Sequence, residues 1–273
     1  MHIAGNLYAD LSAFYDQFCA EVDYAEQCDF AARAFACFAS SGGRDYLDLA
    51  CGTGQHLRDM AARGFVPHGL DNSAEMLALA AARCPSATLL LCDLAAFEQV
   101  AAFDLISCFL YSIHYSHPTA ALAETLRRAH RALKPGGVLI FNAVDCRGIR
   151  NDSGVITRVA TTAGELRFQS RWHYRGEGDV LDLNLAISQE SPEGARYWRD
   201  HHTMTAITFP HLLAMLADAG FLATLLEHDY RVMAPWAGES FNAIVVATKP
   251  CGFPADDTAL DVPGGGFGPT GSV

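Results

Sequence analysis

The stretch LDLACGTGQH, Leu47 to His56, joins a strand-like apolar run to a tight turn that contains Gly52 and Gly54. Glycine has no Cβ, so such a turn lets the backbone approach a bound ligand closely. Nucleotide-phosphate loops and other cofactor loops share this outline. The stretch therefore predicts a ligand-binding turn.

The spacing of this turn disfavours two common nucleotide sites. A phosphate loop of the Walker type requires Lys and then Ser or Thr after its second glycine, where this chain has Gln55 and His56. A dinucleotide loop has a third glycine that permits close packing of helix and strand, and Leu57 occupies that position. The sequence argues against an NTPase, and the helix after the turn need not hold a pyrophosphate.

Carboxylates recur at or near the ends of three successive strand-like segments. Asp48 lies within the first, Asp71 ends the second in GLDNS, and Asp93 follows the third in LCDL. Open α/β sheets bind ligands at the carboxyl ends of their strands. Asp71 there offers two acceptor atoms to a vicinal diol.

The stretch YSIHYSH, residues 111–117, contributes two candidate bases, His114 and His117. Imidazole takes up a proton near neutral pH, so either side chain could act as a base or orient a substrate; the alternative is a polar loop that caps the next helix. Two histidines three residues apart also resemble a metal pair. However, no carboxylate follows nearby, and His201 and His202 are adjacent and point apart on a strand, so no metal is predicted.

Aromatic residues form two further sets. The first set lies in predicted N-terminal helices, where helix packing accounts for it: Tyr8, Tyr15 and Tyr24. The second set lies near residues 172–198 and favours the core of a small sheet, with lining of a substrate pocket as the alternative: Trp172, His173, Tyr174, Tyr197 and Trp198.

The elements that position these residues alternate between strand and helix. Helical spacing of apolar residues predicts helices over 8–20, 24–39, 55–63, 121–133 and about 209–219. Ser73 is a predicted N-cap for a helix over EMLALAAAR. Predicted strands lie at 45–50, 65–71, 87–92, 103–110 and 138–144, with two more near the C-terminal end. This alternation predicts an α/β fold with a doubly wound, mostly parallel sheet of seven strands.

From about residue 147 the pattern changes to alternating segments at 155–162, 165–174, 179–189 and 194–205, separated by turn signals. These predict an antiparallel meander of about four strands. We therefore expect N-terminal helices (1–43), a core (44–146 and 206–250), an antiparallel insertion (147–205) that covers the substrate or offers a dimer surface, and a flexible tail (251–273) rich in Gly and Pro.

Composition limits the partners. The 273-residue chain has a formal net charge of −12 and no visible Lys/Arg cluster, which disfavours nucleic acid and anionic membranes and favours a small-molecule substrate. Nine cysteines lie scattered without a CxxC pair, and the N-terminus lacks a secretion signal. We expect a cytoplasmic protein.

The ordered motifs LDLACGTG, GLDNS, LCDL, FDLISCF and LKPGGVLIF resemble those of the class I S-adenosylmethionine-dependent methyltransferases, over residues 45–145 and again over 208–249. The resemblance implies the Rossmann-like methyltransferase fold and S-adenosyl-L-methionine as cofactor. Ala50 stands where the family often has a further glycine. Transferred position by position, the resemblance implies a cofactor site formed by Asp48, Ala50, Gly52, Gly54, Asp71, Asn72, Met76, Cys92, Asp93, Leu94 and Phe109.

The N-terminal helices and the insertion also resemble those of small-molecule N-methyltransferases, of the aminosugar N,N-dimethyltransferase or glycine/sarcosine type. Because such enzymes often close the site with their N-terminal segment, the resemblance implies that residues 1–43 form a lid and makes Tyr8, Tyr15 and Tyr24 candidate lid residues, with helix packing as the alternative. It also implies in-line methyl transfer to an amine, with His114, His117 and Tyr15 as candidate catalytic residues. O-methylation of a small acid or phosphonate remains an alternative, as does a non-catalytic cofactor-binding protein. An NAD(P)-dependent oxidoreductase and a methyltransferase acting on tRNA or protein fit the sequence less well.

Overall fold

The computed structural model describes residues 2–4, 14–161, 164–191 and 194–251. The predicted helix over 8–20 lies partly outside these residues. Tyr8 and nearly all of the predicted tail lie entirely outside them. The helices are α1 (Tyr15–Phe18), α2 (Tyr24–Phe38), α3 (Gln55–Ala62), α4 (Ala74–Arg83), α5 (Thr119–Ala132) and α6 (Phe209–Asp218). Within the described ranges no helix is long and apolar enough to cross a membrane.

The strands divide into two sheets. The first strand is β1 (His2–Ala4), and the larger sheet then contains β2 (Asp45–Leu49), β3 (Val66–Asp71), β4 (Thr88–Leu91), β5 (Phe103–Cys108), β6 (Leu133–Val144), β11 (Leu222–Glu227) and β12 (Asn242–Thr248). Its order is β11-β12-β6-β5-β2-β3-β4, and β12 runs antiparallel to both of its neighbours. The predicted α/β class and the mostly parallel seven-stranded sheet are confirmed.

The larger sheet is buried on both faces at its centre. Every residue of β5 is buried, and β2 directs Leu47 and Leu49 into one apolar cluster and Tyr46 into the other. Parallel strands covered by helices on both faces require continuous apolar runs of this kind. The strand order brings the carboxyl ends of β2, β3 and β5 to one edge, where the predicted ligand-binding residues lie.

The second sheet has five strands, in the order β1-β10-β9-β8-β7. Its antiparallel strands are β7 (Val155–Thr161), β8 (Gly164–Tyr174), β9 (Val180–Ser191) and β10 (Gly194–Thr205). The sequence predicted these four. It missed β1, because three residues that pair in parallel with β10 carry no pattern of their own.

The inner face of the second sheet packs against the first. Its apolar side chains, among them Phe168 and Leu181, share a cluster with Val144 at the end of β6. Phe14, Phe18 and the loop after β5 pack against the same cluster. The second sheet and α1 therefore cover the carboxyl edge of the larger sheet.

The aromatic set near residues 172–198 is divided between core and surface. Trp198 is 8% exposed and packs against Phe14, as predicted for a core residue. Tyr197 is 37% exposed, and the side chain of His173 lies on the exposed face with its Nδ1 3.7 Å from Asp182. The prediction that the whole set forms the sheet core is therefore wrong for these two, because adjacent residues of a strand point to opposite faces.

Candidate functional site

The glycine turn after β2 is held by the carboxylate that ends β3. Asp71 Oδ2 accepts a hydrogen bond from Gly52 N (2.8 Å), and its Oδ1 accepts one from Ser73 N (2.9 Å). Burial raises the pKa of Asp71. Asp71 thus shapes the turn, a role that the sequence did not reveal.

Three residues of this turn have left-handed backbones: Ala50 (φ 58°), Gly52 (φ 52°) and Gly54 (φ 79°). A Cβ on Gly52 would meet only Tyr15 Cε1, at 3.8 Å, so the space above it is open to a ligand. A Cβ on Gly54 would lie 2.9 Å from Ala80 Cα in α4. The two predicted close-approach glycines therefore differ, since Gly54 approaches a helix of its own chain.

Asp48 lies behind the turn in a buried polar chain. Its Oδ1 accepts a hydrogen bond from Ser107 Oγ (2.6 Å), which in turn is 2.6 Å from Tyr46 Oη. Its Oδ2 is buried, has no hydrogen-bond partner among the described residues, and lies 3.6 Å from His56 Nδ1. The His56 ring is held through Nε2 by Gln27 Oε1 at 2.7 Å. The crevice therefore contains a buried acceptor atom that suits a donor group of a ligand.

Sequence analysis missed His56 and Gln27 as parts of this site. His56 follows the glycine turn directly, in the first turn of α3, and that position was the available signal. Gln27 lies in α2, and its approach to His56 depends on helix packing that no local pattern encodes.

The remaining residues of the predicted cofactor site lie on or near the edge formed by β3 and β4. Asn72 and Asp93 are exposed, Cys92 is half-buried, and Asp93 Oδ1 accepts a hydrogen bond from Ala95 N at 2.8 Å. Leu94 is 8% exposed. The structure contradicts the prediction for Met76, whose side chain is completely buried beneath the N-terminus of α4 and offers no surface to a ligand.

Two cavities that share wall residues lie at the carboxyl ends of β2 and β5. A small one, of about 20 Å³, is lined by the turn from Ala50 to Thr53 together with Asp48, Phe109 and Tyr24. A larger one, of about 540 Å³, lies between α1, the loop after β5 and the second sheet. Tyr15 and Leu110 line both. The predicted lid residue Tyr15 therefore stands at the junction of the two cavities.

The wall of the larger cavity includes several aromatic side chains, among them Phe18, Tyr111, Tyr115, Trp172 and Phe241. It also carries one acidic side chain, Glu21, and one basic side chain, Arg150, neither of which forms an ion pair within the described part of the chain. An aromatic wall with two opposite charges suits a small organic ligand that carries both signs of charge.

The loop after β5 is strained where it enters this cavity. Leu110 (φ 55°) and Tyr111 (φ 61°) are consecutive left-handed residues with side chains. The amide of Tyr111 is fixed by Asn142 Oδ1 at 3.1 Å, and its ring stacks on His228. Burial raises the pKa of Tyr111 to about 12. Such strain persists only where the surroundings fix it, and it is concentrated at functional sites.

His114 is not placed for chemistry. It is 1% exposed, its Nδ1 lies 2.8 Å from the carbonyl oxygen of Thr205, and its Nε2 accepts a hydrogen bond from Val144 N at 3.1 Å. Burial lowers the pKa of His114, which favours the neutral ring. Both ring nitrogens already have backbone partners. The structure does not support its prediction as a catalytic base; the ring links the ends of β6 and β10.

His117 also lies away from both cavities. Its Nδ1 is 3.5 Å from Thr205 Oγ1, and it precedes Pro118 at the start of α5. Neither cavity wall includes it. The structure therefore favours the alternative, a polar loop residue beside a helix start. Among the described residues no group of three or more His, Cys, Asp or Glu could hold a metal ion.

Comparison with known proteins agrees with this architecture. Residues 47–137 match the model of a methyltransferase domain. A dTDP-4-amino-2,3,4,6-tetradeoxy-D-glucose N,N-dimethyltransferase from Saccharopolyspora spinosa is 28% identical over 180 residues, which cover 66% of this chain and 72% of the relative. A dTDP-3-amino-3,6-dideoxy-alpha-D-glucopyranose N,N-dimethyltransferase from Streptomyces fradiae is 38% identical over 168 residues, 59% of this chain and 64% of the relative.

Solved structures show the same fold. A sugar N-methyltransferase from Streptoalloteichus sp. ATCC 53650 superimposes with a TM-score of 0.77 at 24% identity, covering 91% of this chain and 96% of that one. An amino pentose methyltransferase from Micromonospora echinaspora, solved with S-adenosylmethionine bound, gives a TM-score of 0.73 at 24% identity, over 90% of this chain and 100% of that one.

Proposed function

We propose that this chain is an S-adenosylmethionine-dependent methyltransferase that N-methylates a small-molecule amine held in the cavity between the two sheets, as its matched methyltransferase domain and its relatives support. The observation that carries this proposal is the junction of the two cavities at Tyr15 and Leu110. A cofactor on the glycine turn and an acceptor in the larger cavity would meet there. In-line transfer depends on this alignment and on exclusion of water.

The residues of the small cavity fit the cofactor. Gly52 leaves open space above the turn, and Asp48 Oδ2 supplies a buried acceptor that an ammonium group of the cofactor would satisfy. Asp71 would accept from the ribose hydroxyls, with Asn72 and Asp93 beside it at the strand ends. When bound, S-adenosylmethionine supplies an activated methyl group on a sulfonium centre.

The larger cavity supports an acceptor with a cationic amine and an anionic group. Glu21 would attract the ammonium, Arg150 would pair with a phosphate, and the aromatic wall would contact the ring between them. The relatives named above act on aminosugars linked to dTDP, which combine these features. We therefore propose a nucleotide-linked aminosugar as the acceptor class.

Methyl transfer to dTDP-3-amino-3,6-dideoxy-α-D-glucopyranose tests this proposal directly. Mass spectrometry should detect one or two added methyl groups, and Glu21→Gln should raise the KM for this amine. The surface control is Arg127→Gln. It removes an exposed cation that pairs with Glu124 on α5, outside both cavity walls, and should leave KM unchanged. Methylation of carboxylates or phosphonates with no amine methylated would overturn the acceptor class.

The cofactor proposal has its own test. S-adenosylhomocysteine should raise the melting temperature by binding the folded state, whereas NADH and ATP should not. A melting curve that saturating S-adenosylhomocysteine leaves in place would refute cofactor binding, and with it both the catalytic proposal and the alternative of a non-catalytic binding protein.

We further propose that the enzyme acts in the cytoplasm, as a homodimer, without nucleic acid or membrane as partner. A net charge of −12 supports the last point, because anionic polymers and surfaces would be repelled. For the dimer, the support is the outer strand β7, whose Val155 and Ile156 are 62% and 47% exposed. Sedimentation velocity should give twice the chain mass of 29.4 kDa.

A further inference from the structure

Three side chains form a continuous polar chain that begins in the wall of the larger cavity. Tyr115 Oη lies 2.7 Å from His202 Nδ1, and His202 Nε2 lies 2.8 Å from Asp200 Oδ2. Tyr115 ends the short 3₁₀ turn after β5, whereas His202 and Asp200 are two residues apart on β10 and so share one face. The two sheets are therefore joined by this chain.

The chemistry of the three groups fixes the direction of its hydrogen bonds. A carboxylate only accepts, so His202 Nε2 carries a proton and donates it to Asp200. In the neutral ring Nδ1 is then an acceptor, and the hydroxyl of Tyr115 donates to it. Asp200 is itself oriented, because its Oδ1 accepts a hydrogen bond from His201 N at 2.9 Å.

The chain is screened from solvent but open to the cavity. The side chains of His202 and Asp200 are 9% and 14% exposed, and Tyr115 lines the cavity wall. Opposite His202 and Asp200 on β9 stand the apolar residues Leu183 and Leu185.

Other ionisable groups reach the cavity from the elements packed around it. They come from α1 and the segment after it, from the loop after β5 and from the segment before β7: Tyr15, Cys19, Glu21, Tyr111 and Arg150. In the described structure Tyr115 is the wall residue with a hydrogen-bonded imidazole–carboxylate pair behind it.

We propose that Tyr115, His202 and Asp200 form a proton relay that deprotonates the acceptor ammonium, an inference that rests on the proposed amine methylation. The ammonium gives a proton to Tyr115 Oη while the Tyr115 hydroxyl proton passes to His202 Nδ1. The imidazolium so formed is stabilised by Asp200 and later releases its proton to solvent. The neutral amine nitrogen forms the new N–C bond as the methyl–sulfur bond breaks with its electron pair on sulfur. Each methyl transfer therefore releases one proton.

Tyr115 is the catalytic residue of this relay, and His202 and Asp200 are positioning residues. With the dTDP-aminosugar named above as probe, Tyr115→Phe, His202→Gln and Asp200→Asn should each lower kcat at pH 7, by about 10²-fold or more for Tyr115→Phe. The loss should disappear as pH rises above the pKa of the acceptor ammonium, because the free amine then needs no base. A purely structural role would give a loss independent of pH.

The neighbour His201 provides the matched control. It lies on the opposite face of β10, with its side chain 55% exposed and paired to Asp182. His201→Gln should keep the pH profile of the wild-type enzyme. S-adenosylhomocysteine should raise the melting temperature of all four variants as it does for the wild type, since none of the four substituted residues lines the cavity at the glycine turn. Equal pH profiles in Asp200→Asn and wild type would overturn the relay.

The relay can also be tested without turnover. Nitrogen-15 NMR of the histidine rings, with His202 assigned through His202→Gln, should show a protonated Nε2 and a bare Nδ1 whose shift changes in Tyr115→Phe. A protonated Nδ1 with a bare Nε2 would overturn the relay alone. Failure of the wild-type enzyme to methylate any amine would instead overturn the proposed function, and the proton transfer with it.

Discussion

The two glycines of the turn after β2 provide the sharpest test of how the structure separates packing from ligand binding. In Gly54→Ala the new Cβ would lie 2.9 Å from Ala80 Cα and 3.0 Å from Ala80 Cβ, so α4 has to move. Overpacking of this kind costs about 1–3 kcal/mol. A side chain at φ 79° adds about 1–2 kcal/mol.

Gly54→Ala should therefore lower the free energy of unfolding by about 2–5 kcal/mol. At about 2–4 °C per kcal/mol, the melting temperature should fall by about 4–20 °C. Gly64→Ala is the matched control, because Gly64 has φ 82° and nothing within 4 Å of its added Cβ. Both variants place a side chain at a left-handed φ, and both lower the entropy of the unfolded chain. The difference between their free energies of unfolding therefore isolates the contact with α4.

Urea denaturation of both variants provides the measurement, and titration with S-adenosylhomocysteine extends it to Gly52→Ala. The Cβ added to Gly52 would meet only Tyr15 Cε1, at 3.8 Å, so the stability of Gly52→Ala should match that of Gly64→Ala. The added methyl group would occupy the space assigned to the cofactor. The affinity of Gly52→Ala for S-adenosylhomocysteine should therefore fall more than tenfold, a loss of about 1.4 kcal/mol in binding free energy. If Gly54→Ala is no less stable than Gly64→Ala, the assignment of Gly54 to helix packing is wrong.

Three further substitutions test the site. His114→Ala should lower the free energy of unfolding by about 2–6 kcal/mol, because the Thr205 carbonyl and the Val144 amide each lose a buried partner. Burial lowers the pKa of His114, so at acidic pH the unfolded chain binds a proton that the folded chain does not. The stability of the wild-type protein should therefore fall as pH drops below about 6.5, by up to about 1.4 kcal/mol per pH unit from this group. In urea titrations, the stability of His114→Ala should depend less on pH. Asp71→Ala should weaken S-adenosylhomocysteine binding by about 1.5–3 kcal/mol in calorimetry and also lower stability; unchanged affinity in a folded variant would remove Asp71 from the site. Ala50→Gly removes the strain of an alanine at a left-handed φ but raises the entropy of the unfolded chain. Urea denaturation should therefore give a free energy of unfolding that is unchanged or up to about 1 kcal/mol higher. A clear loss of stability would contradict strain at this position.

Features set by neighbouring residues could be predicted from the sequence. Apolar spacing located the helices and strands of the larger sheet, and Ser73 caps α4 as predicted, accepting a hydrogen bond from Met76 N. The glycine turn was recognised because its geometry depends on residue types within one short segment. Periodicity identifies an element and its buried face, and the order of strand and helix then restricts the fold.

The roles of individual polar residues could not be predicted in this way. The sequence makes His114 a catalytic candidate because it follows β5, yet its partner Thr205 lies 91 residues further along the chain. Tyr115, its neighbour, bonds His202 across 87 residues. Whether a side chain in such a loop faces a cavity or the core depends on the sheet that packs over it.

The position of the proposed acceptor cavity explains why the methyltransferase match alone does not determine the substrate. The matched domain ends at residue 137, and it contributes Leu110, Tyr111 and Tyr115 to the cavity wall. The rest of the described wall comes from α1 and the residues after it, from the segment 149–154 before β7, from the second sheet and from Phe241 and Asn242. Both charged wall residues, and both residues behind Tyr115 in the proposed relay, lie outside the matched domain. Changes in α1 and β10 are therefore expected to alter acceptor choice while the glycine turn and its proposed cofactor contacts stay the same, since specificity depends on differences in contact with the acceptor.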